Sequence, residues 1–217
     1  MTPKPKAQSP KPRDDLEAGG RRLLERLGAW AFSQRSWTPV PLALVLLVVR
    51  WRWLRSPWLL ALGTCVVVAG LVIRYWAVSH IGTISRTRAQ RYGPLMTAGP
   101  FGLVRNPLYV GNFLIWMGFV VASGLLWMLP VAWGLFALQY SAIVRFEEAA
   151  LVRHFGASYE EYARRVPRWW LSPARIASAG GTPGPYGWRE VYFSERGTLI
   201  AAAIMTLLLL ARYRWLA

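Results

Sequence analysis

The sequence predicts an all-α, polytopic membrane protein with about five transmembrane helices, two of them folded into a hairpin. Three observations carry this. Hydrophobic residues fill 54% of the 217 positions and the mean hydropathy is +0.27, which does not fit a water-soluble core of this size. The apolar residues gather in runs close to the ~20 residues that a helix needs to cross a bilayer. Only ten Asp and Glu are spread over the whole chain, so several crossings meet few buried carboxylates. A disulfide-stapled secreted protein and a disordered one are excluded. The single cysteine, Cys65, builds neither a disulfide nor a cysteine metal site within one chain, and no metal ligand is assigned.

The elements follow in order. Residues 1–27 begin MTPKPKAQSPKPRDD, a basic tail with too little apolar content to offset the entropy of ordering it. Residues 28–83 hold two helices. The first runs from about Ala29 to Val49, strongest at Val40–Val49 and weakened by Arg35 and two prolines. The second, Pro57 to Ser79, is interrupted only by Arg74, read as a side chain that snorkels to the interface; a buried Arg74 would mark a polar substrate group. A core of residues 84–176 comes next. Its apolar stretch from Leu108 to Val144 breaks once, at Ala122-Ser123-Gly124, giving two helices in a hairpin with an uncharged tip. A Gly/Pro-rich linker, 177–190, precedes the last helix in 191–217, which is apolar from Gly197 to Ala211 and flanked by Arg196, Arg212 and Arg214.

The formal charge of +16 invites a nucleic-acid reading, but the basic residues lie beside apolar runs, where anionic headgroups are the nearer partner. Membrane lipids, and no nucleic acid, are the expected contacts. Cytoplasmic loops carry the excess of Lys and Arg. With the amino terminus inside, the inner segments hold eight basic residues up to Arg35, four at Arg86, Arg88, Arg91 and Arg105, and eight over 145–196. The outer segments hold Arg50, Arg52 and Arg55, none at the hairpin tip, and two at the carboxyl end, a split of twenty against five; without the weak first helix the count changes and one end reverses. Trp30, Trp37, Trp51, Trp53, Trp58, Trp76, Trp169 and Trp170 fall near helix ends, as an interfacial aromatic belt does.

This topology brings the segments before and after the hairpin, 80–107 and 145–176, to one membrane face. The first ends TAGPFGLVRNPLYVGN, where a helix starting near Pro107 and Leu108 leaves unpaired backbone N–H groups. Such a start binds a carboxylate or phosphate; a plain interfacial turn is the alternative. The second opens VRFEEAALVRHFGASYEEYARRVPRWW. Glu147 and Glu148 directly follow a membrane helix, where a carboxylate is costly unless exposed or paired, so at least one is expected to face the hairpin or a bound cation. Gly156 stops that helix, and Tyr159, Tyr162 and the Arg164–Arg165 pair make an amphipathic piece.

These two segments, quoted as they stand, resemble the isoprenylcysteine carboxyl methyltransferase and phospholipid methyltransferase superfamily over about residues 90–170. The first matches at Gly99, Pro100, Phe101, Val104, Arg105, Pro107, Tyr109 and Gly111. The second matches at Glu147, Glu148, Leu151, Phe155, Gly156, Tyr159, Tyr162, Val166 and Pro167. One departure stands out: Asn106 replaces the usual histidine, keeping a donor and an acceptor but carrying no proton or positive charge near neutrality.

The resemblance implies an enzyme that takes S-adenosylmethionine from the cytosolic face and a lipophilic small-molecule or lipidated substrate from the bilayer. It implies cofactor contacts from Val104, Asn106, Pro107, Leu108, Tyr109, Gly111, Glu147, Glu148, Phe155 and Tyr162. Arg105, with Arg164 and Arg165 as second choices, is the expected orienting cation for an anionic substrate or the cofactor carboxylate; for Arg164 and Arg165, snorkelling to headgroups is the favoured alternative. No G-x-G-x-x-G follows a strand, so helices and not a Rossmann sheet would hold the cofactor. The methyl acceptor stays open among a carboxylate, a thiol and a lipid amine. A sterol-reductase-like enzyme using NADPH and a non-catalytic scaffold are the competing classes. His154 is read as a helix-end packing residue, and His80 has no assigned partner.

Overall fold

A computed structural model describes residues 20, 26–49, 56–82, 93–170 and 184–215. The loop arginines Arg50, Arg52, Arg55, Arg86, Arg88 and Arg91, together with Trp51 and Trp53, lie outside the described residues, as do most of the 1–27 tail and part of the 177–190 linker. Every regular element described is helical. They are α1 (26–34), α2 (Pro39–Val48), α3 (Pro57–Ile81), α4 (Pro100–Leu103), α5 (Pro107–Ala122), α6 (Leu129–Phe155), α7 (Ala157–Arg165) and α8 (Trp188–Trp215). A short 3-10 turn, Leu126–Met128, leads into α6.

Among the described residues three helices are long and apolar enough to cross a membrane: α3, α6 with its 3-10 lead, and α8; α2 and α5 are shorter apolar helices. The expected first span, Ala29–Val49, is corrected: it is two helices separated by a turn at residues 35–38. The cause is local. Pro39 and Pro41 have no N–H to give to the carbonyls of Arg35 and Trp37, and their rings press on those same carbonyls. The chain therefore closes a turn through Trp37 N–H to Gln34 O and restarts as α2 with proline in its first turn. At ten residues, α2 reaches only about 15 Å, half of a bilayer core. The last helix begins at Trp188, three residues before the expected 191–217 segment, because Val191, Ser194 and Glu195 are buried and give its polar first turns a packed face.

The other boundaries follow from cap chemistry. Ser56 Oγ accepts the Leu59 N–H at the start of α3, with Pro57 in its first turn. The hairpin turns at Ser123-Gly124, where the Ser123 hydroxyl donates to Val120 O and its oxygen accepts the Leu125 N–H. Gly156, at φ +55°, ends α6 and starts α7, a conformation that costs glycine little.

α3 and α5 run antiparallel in close contact. A methyl group on Gly118 would stand 2.8 Å from Gly63 O and from Val67, and one on Gly70 would stand 2.6 Å from Gly111 O. Two glycine pairs, each seven residues apart, thus let these backbones meet, which is how helices pack where lipid supplies no hydrophobic drive. α6 covers the other side of α5 with Ala132, Phe136, Tyr140 and Ile143. Phe136 stacks on Tyr140 at 4.0 Å and meets Phe113 and Trp116 edge-on. Apolar side chains such as Trp58, Val72, Leu138 and Leu207 point outward, as lipid-facing residues do. The packing leaves the end of α3, the start of α5, the end of α6 and the start of α8 together at one end of the bundle.

Candidate functional site

The site is built where the segments before and after the hairpin meet. Gly99, at φ +58°, lets the backbone pass directly against the His80 ring, since a Cβ there would strike the imidazole. His80 is buried and is anchored in turn by its Nδ1, 3.0 Å from Trp76 O and 3.2 Å from Ser79 Oγ. Three hydrogen bonds then fasten the later segment to the earlier one. Tyr162 OH donates to Phe101 O at 2.7 Å, the Arg105 N–H donates to Pro167 O at 2.9 Å, and Asn106 Nδ2 donates to Arg168 O at 3.4 Å. Asn106 therefore spends its amide on the later segment and makes no side-chain cap on α5. That contact needs a donor and no charge, and asparagine supplies it as a histidine N–H would.

The adjacent glutamates do different things. Glu148 accepts from Arg168 through both oxygens, at 3.0 and 2.5 Å, and from Arg105 Nη1 at 3.2 Å. A bidentate guanidinium fixes the carboxylate in plane and direction. Arg105 Nε is buried and has no hydrogen-bond partner among the described residues. Glu147 instead accepts the Tyr109 hydroxyl at 2.8 Å. Beside this network the Tyr159 phenol is pushed up to about 12, first by burial and then by Glu148, against the opposing pull of Arg105. Burial raises Tyr162 further, and the carboxylate bonds of Glu148 raise Arg168. At physiological pH both phenols are therefore neutral and Arg168 is a fixed cation.

Deeper in the bundle lies a second ion pair. Arg74 Nε and Nη2 each donate to Glu195 at 2.8 Å, and Arg74 Nη1 donates to Asn112 Oδ1 at 2.6 Å. Asn112 Nδ2 donates to Tyr140 OH at 2.9 Å. The snorkelling reading of Arg74 is corrected by this geometry: its side chain is 13% exposed and Glu195 3%. A charge two turns inside an apolar helix finds a carboxylate on a neighbouring helix more cheaply than it reaches water.

A cavity of about 1270 Å³ joins these groups. Of the residues expected from sequence, Arg105, Asn106, Pro107, Leu108, Tyr109, Glu147, Phe155 and Tyr162 line it. Three lie behind its wall: Val104 is buried, Gly111 sits in the α3–α5 contact near Arg74, and Glu148 is held by its two arginines. Arg164 and Arg165 do not line the cavity, in keeping with the headgroup-snorkelling alternative. Both are exposed, and Arg165 pairs with Glu161 one turn back. α7 buries Tyr159 and Tyr162, and Val166 just past its end joins them; helical geometry turns Arg164 away from that stripe. Arg168, past the end of α7, is the arginine of this run that reaches Glu148. The burial stripe was readable from the tyrosine spacing and would have disfavoured Arg164; nothing in the spacing marked Arg168. His154 is exposed at the end of α6, edge-on to Phe155 at 4.6 Å, in the helix-end position expected for it. Among the described residues no group of three His, Cys, Asp or Glu stands close enough to hold a metal ion.

Long apolar helices around a charged, hydrogen-bonded cavity at one end define a multi-pass membrane protein with a polar site. Residues 58–158, just under half of the chain, match the model of the phospholipid methyltransferase family. The chain is 37% identical over 112 residues to the cobalt-zinc-cadmium resistance protein CzcN of Cupriavidus metallidurans, covering 52% of this chain and 49% of that one. It is 34% identical over 113 residues to a protein-S-isoprenylcysteine O-methyltransferase of Schizosaccharomyces pombe, covering 50% and 44%. It is 29% identical over 118 residues to protein-S-isoprenylcysteine O-methyltransferase B of Arabidopsis thaliana, covering 51% and 58%. The chain thus spans about half the length of the curated relatives it matches. No solved structure matches it.

Proposed function

We propose that the protein is an S-adenosylmethionine-dependent methyltransferase acting on a lipophilic substrate, with its site at the cytoplasmic membrane face. The observation that carries this reading is the convergence of both family motif segments on one cavity that is polar at its mouth and apolar within the bundle. When bound, the cofactor supplies an electrophilic methyl group on a sulfonium. The residues present fit it. Arg105 Nε is a buried donor that a carboxylate would satisfy; Glu147 is a carboxylate on the cavity wall suited to an amino group or ribose hydroxyl; Phe155 and Tyr162 offer aromatic surface beside them. Methyl transfer needs alignment and exclusion of water more than proton chemistry. The Glu148–Arg105–Arg168 cluster serves alignment by holding the first motif against the second.

The test is equilibrium binding of S-adenosylmethionine and NADPH to the full chain in detergent. S-adenosylmethionine should bind and NADPH should not. Glu147→Gln should weaken cofactor binding about tenfold, the cost of a hydrogen bond to a charged group, while the exposed Glu161→Gln binds as the unaltered protein does. A second reading, raised by the relatives named for metal resistance, is a membrane component serving metal tolerance without methyl transfer. Folded protein that binds no S-adenosylmethionine would favour it.

A further inference from the structure

Arg74, Asn112, Tyr140 and Glu195 form one hydrogen-bonded group inside the bundle, and all four line the cavity. The direction of each bond follows from chemistry. A guanidinium only donates, so the amide atom 2.6 Å from Arg74 Nη1 is the carbonyl oxygen of Asn112. That settles which way the amide faces. Its other end is the NH2 group, also a donor, and the Tyr140 oxygen 2.9 Å away accepts from it. A phenol that accepts still has its own O–H to give. Among the described residues no acceptor takes that hydrogen, because Glu147, two turns further along α6, receives the Tyr109 hydroxyl instead.

The position of this hydroxyl is built. Tyr140 is 2% exposed. Its ring stacks on Phe136 at 4.0 Å, lies 4.9 Å from the Tyr109 ring and meets Trp116 edge-on at 6.4 Å. Arg74 is matched by Glu195 through two nitrogens at 2.8 Å each, so the group that orients Tyr140 carries no net charge. The cavity wall otherwise takes apolar side chains from the same two helices, Ile115, Trp116 and Phe119 of α5 and Ala201, Ala202 and Met205 of α8. A buried donor is costly to leave unpaired, and a water molecule needs several polar partners to stay in such surroundings.

We infer that Tyr140 donates this hydrogen bond to the substrate, and that the lipophilic substrate carries an uncharged oxygen acceptor, of the carbonyl, hydroxyl or ether kind, within its apolar part. The inference rests on the methyltransferase reading above and adds a specificity-determining residue on the substrate side of the cavity, where that reading assigns none. An ammonium group has no lone pair to offer the hydroxyl. A carboxylate meets in Arg74 a cation that Glu195 already neutralises. A neutral oxygen takes the bond without bringing a charge into the bundle. Tyr140 holds the substrate and stays out of methyl transfer: no bond to carbon or sulfur changes there, and its proton remains on the phenol.

The experiment is equilibrium binding of tritiated methyl pentadecyl ketone to the full chain in nanodiscs, with empty nanodiscs as blank and heptadecane, the same chain without the oxygen, as competitor. The ketone should bind about fivefold more tightly than heptadecane, as one neutral hydrogen bond predicts. Tyr140→Phe should erase that advantage. Asn112→Asp should erase it too, because an aspartate accepts from Arg74 and Tyr140 alike and turns the hydroxyl away from the cavity, a change to which a purely structural tyrosine would be indifferent. Infrared spectra of the ketone carrying carbon-13 at its carbonyl give a second readout: the bound C=O stretch should lie lower in the unaltered protein than in either variant. Both variants should still bind S-adenosylmethionine, which shows that they fold. The inference is overturned if the ketone has no advantage over heptadecane, which would leave the hydroxyl to water, or if either variant keeps the advantage or the lowered stretch. Failure of the unaltered protein to bind S-adenosylmethionine would instead sink the underlying methyltransferase reading. The ketone measurement is made without cofactor, so the two failures are told apart.

Discussion

Glu148 is 11% exposed at its side chain and touches two guanidiniums that are not equivalent: Arg105 is as enclosed as the glutamate, and Arg168 is 39% exposed. Removing Arg168 takes away both bonds of the bidentate pair and leaves a buried carboxylate with one 3.2 Å partner. Arg168→Gln should therefore lower stability by about 1–2 kcal/mol, measured as thermal unfolding in detergent, and weaken cofactor binding through Arg105. Arg164→Gln and Arg165→Gln should each stay within about 0.5 kcal/mol, as exposed pairs do. Equal losses in all three variants would refute the distinction. At this scale the sequence was informative where chemistry repeats a local pattern: the Glu147–Glu148 pair, the Arg105-Asn106-Pro107 helix start and the Gly156 stop were each legible. It could not separate Arg168 from its basic neighbours, because position relative to a partner distant in sequence decides the matter.

Among the elements, the α3–α5 contact and the divided first helix set the shape of the cavity. Gly118 has Gly63 O and Val67 2.8 Å from where its Cβ would stand, whereas Gly134 on α6 faces open space. Gly118→Leu must push two backbones apart and should cost about 1–3 kcal/mol. Gly134→Ala should leave stability unchanged or raise it by up to about 1 kcal/mol. Thermal unfolding of the two variants checks this, and a tolerated Gly118→Leu would mean that the helices do not meet there. α2 owes its place to α8 as well: Arg212 donates through both terminal nitrogens to Leu46 O and Val49 O, the carbonyls that a helix end leaves unpaired. The hairpin was readable because Ser-Gly is a local break in an apolar run. The split of the first helix was marked by its prolines, yet hydropathy averaged over a window ran across them.

For the whole molecule, the expected orientation rests on basic residues that fall largely in loops, and it places α7 on the inner face. In a Cys65→Ser background, Glu160→Cys should resist a membrane-impermeant maleimide in intact cells and react once they are opened. Trp127→Cys, at the hairpin tip, should react in intact cells. The reverse pattern would invert the topology. Composition and charge by themselves determined a helical membrane protein, a hairpin, and two motif segments on one face, because hydropathy, helix breaks and loop charge are properties of contiguous chain. Only the tertiary structure decided that Arg74 meets Glu195, 121 residues away, that Glu148 is held by Arg168, and that Arg35 faces the cavity with no ion pair among the described residues. Each depends on how helices rotate and approach one another, and that is settled by packing between segments, which no single segment encodes.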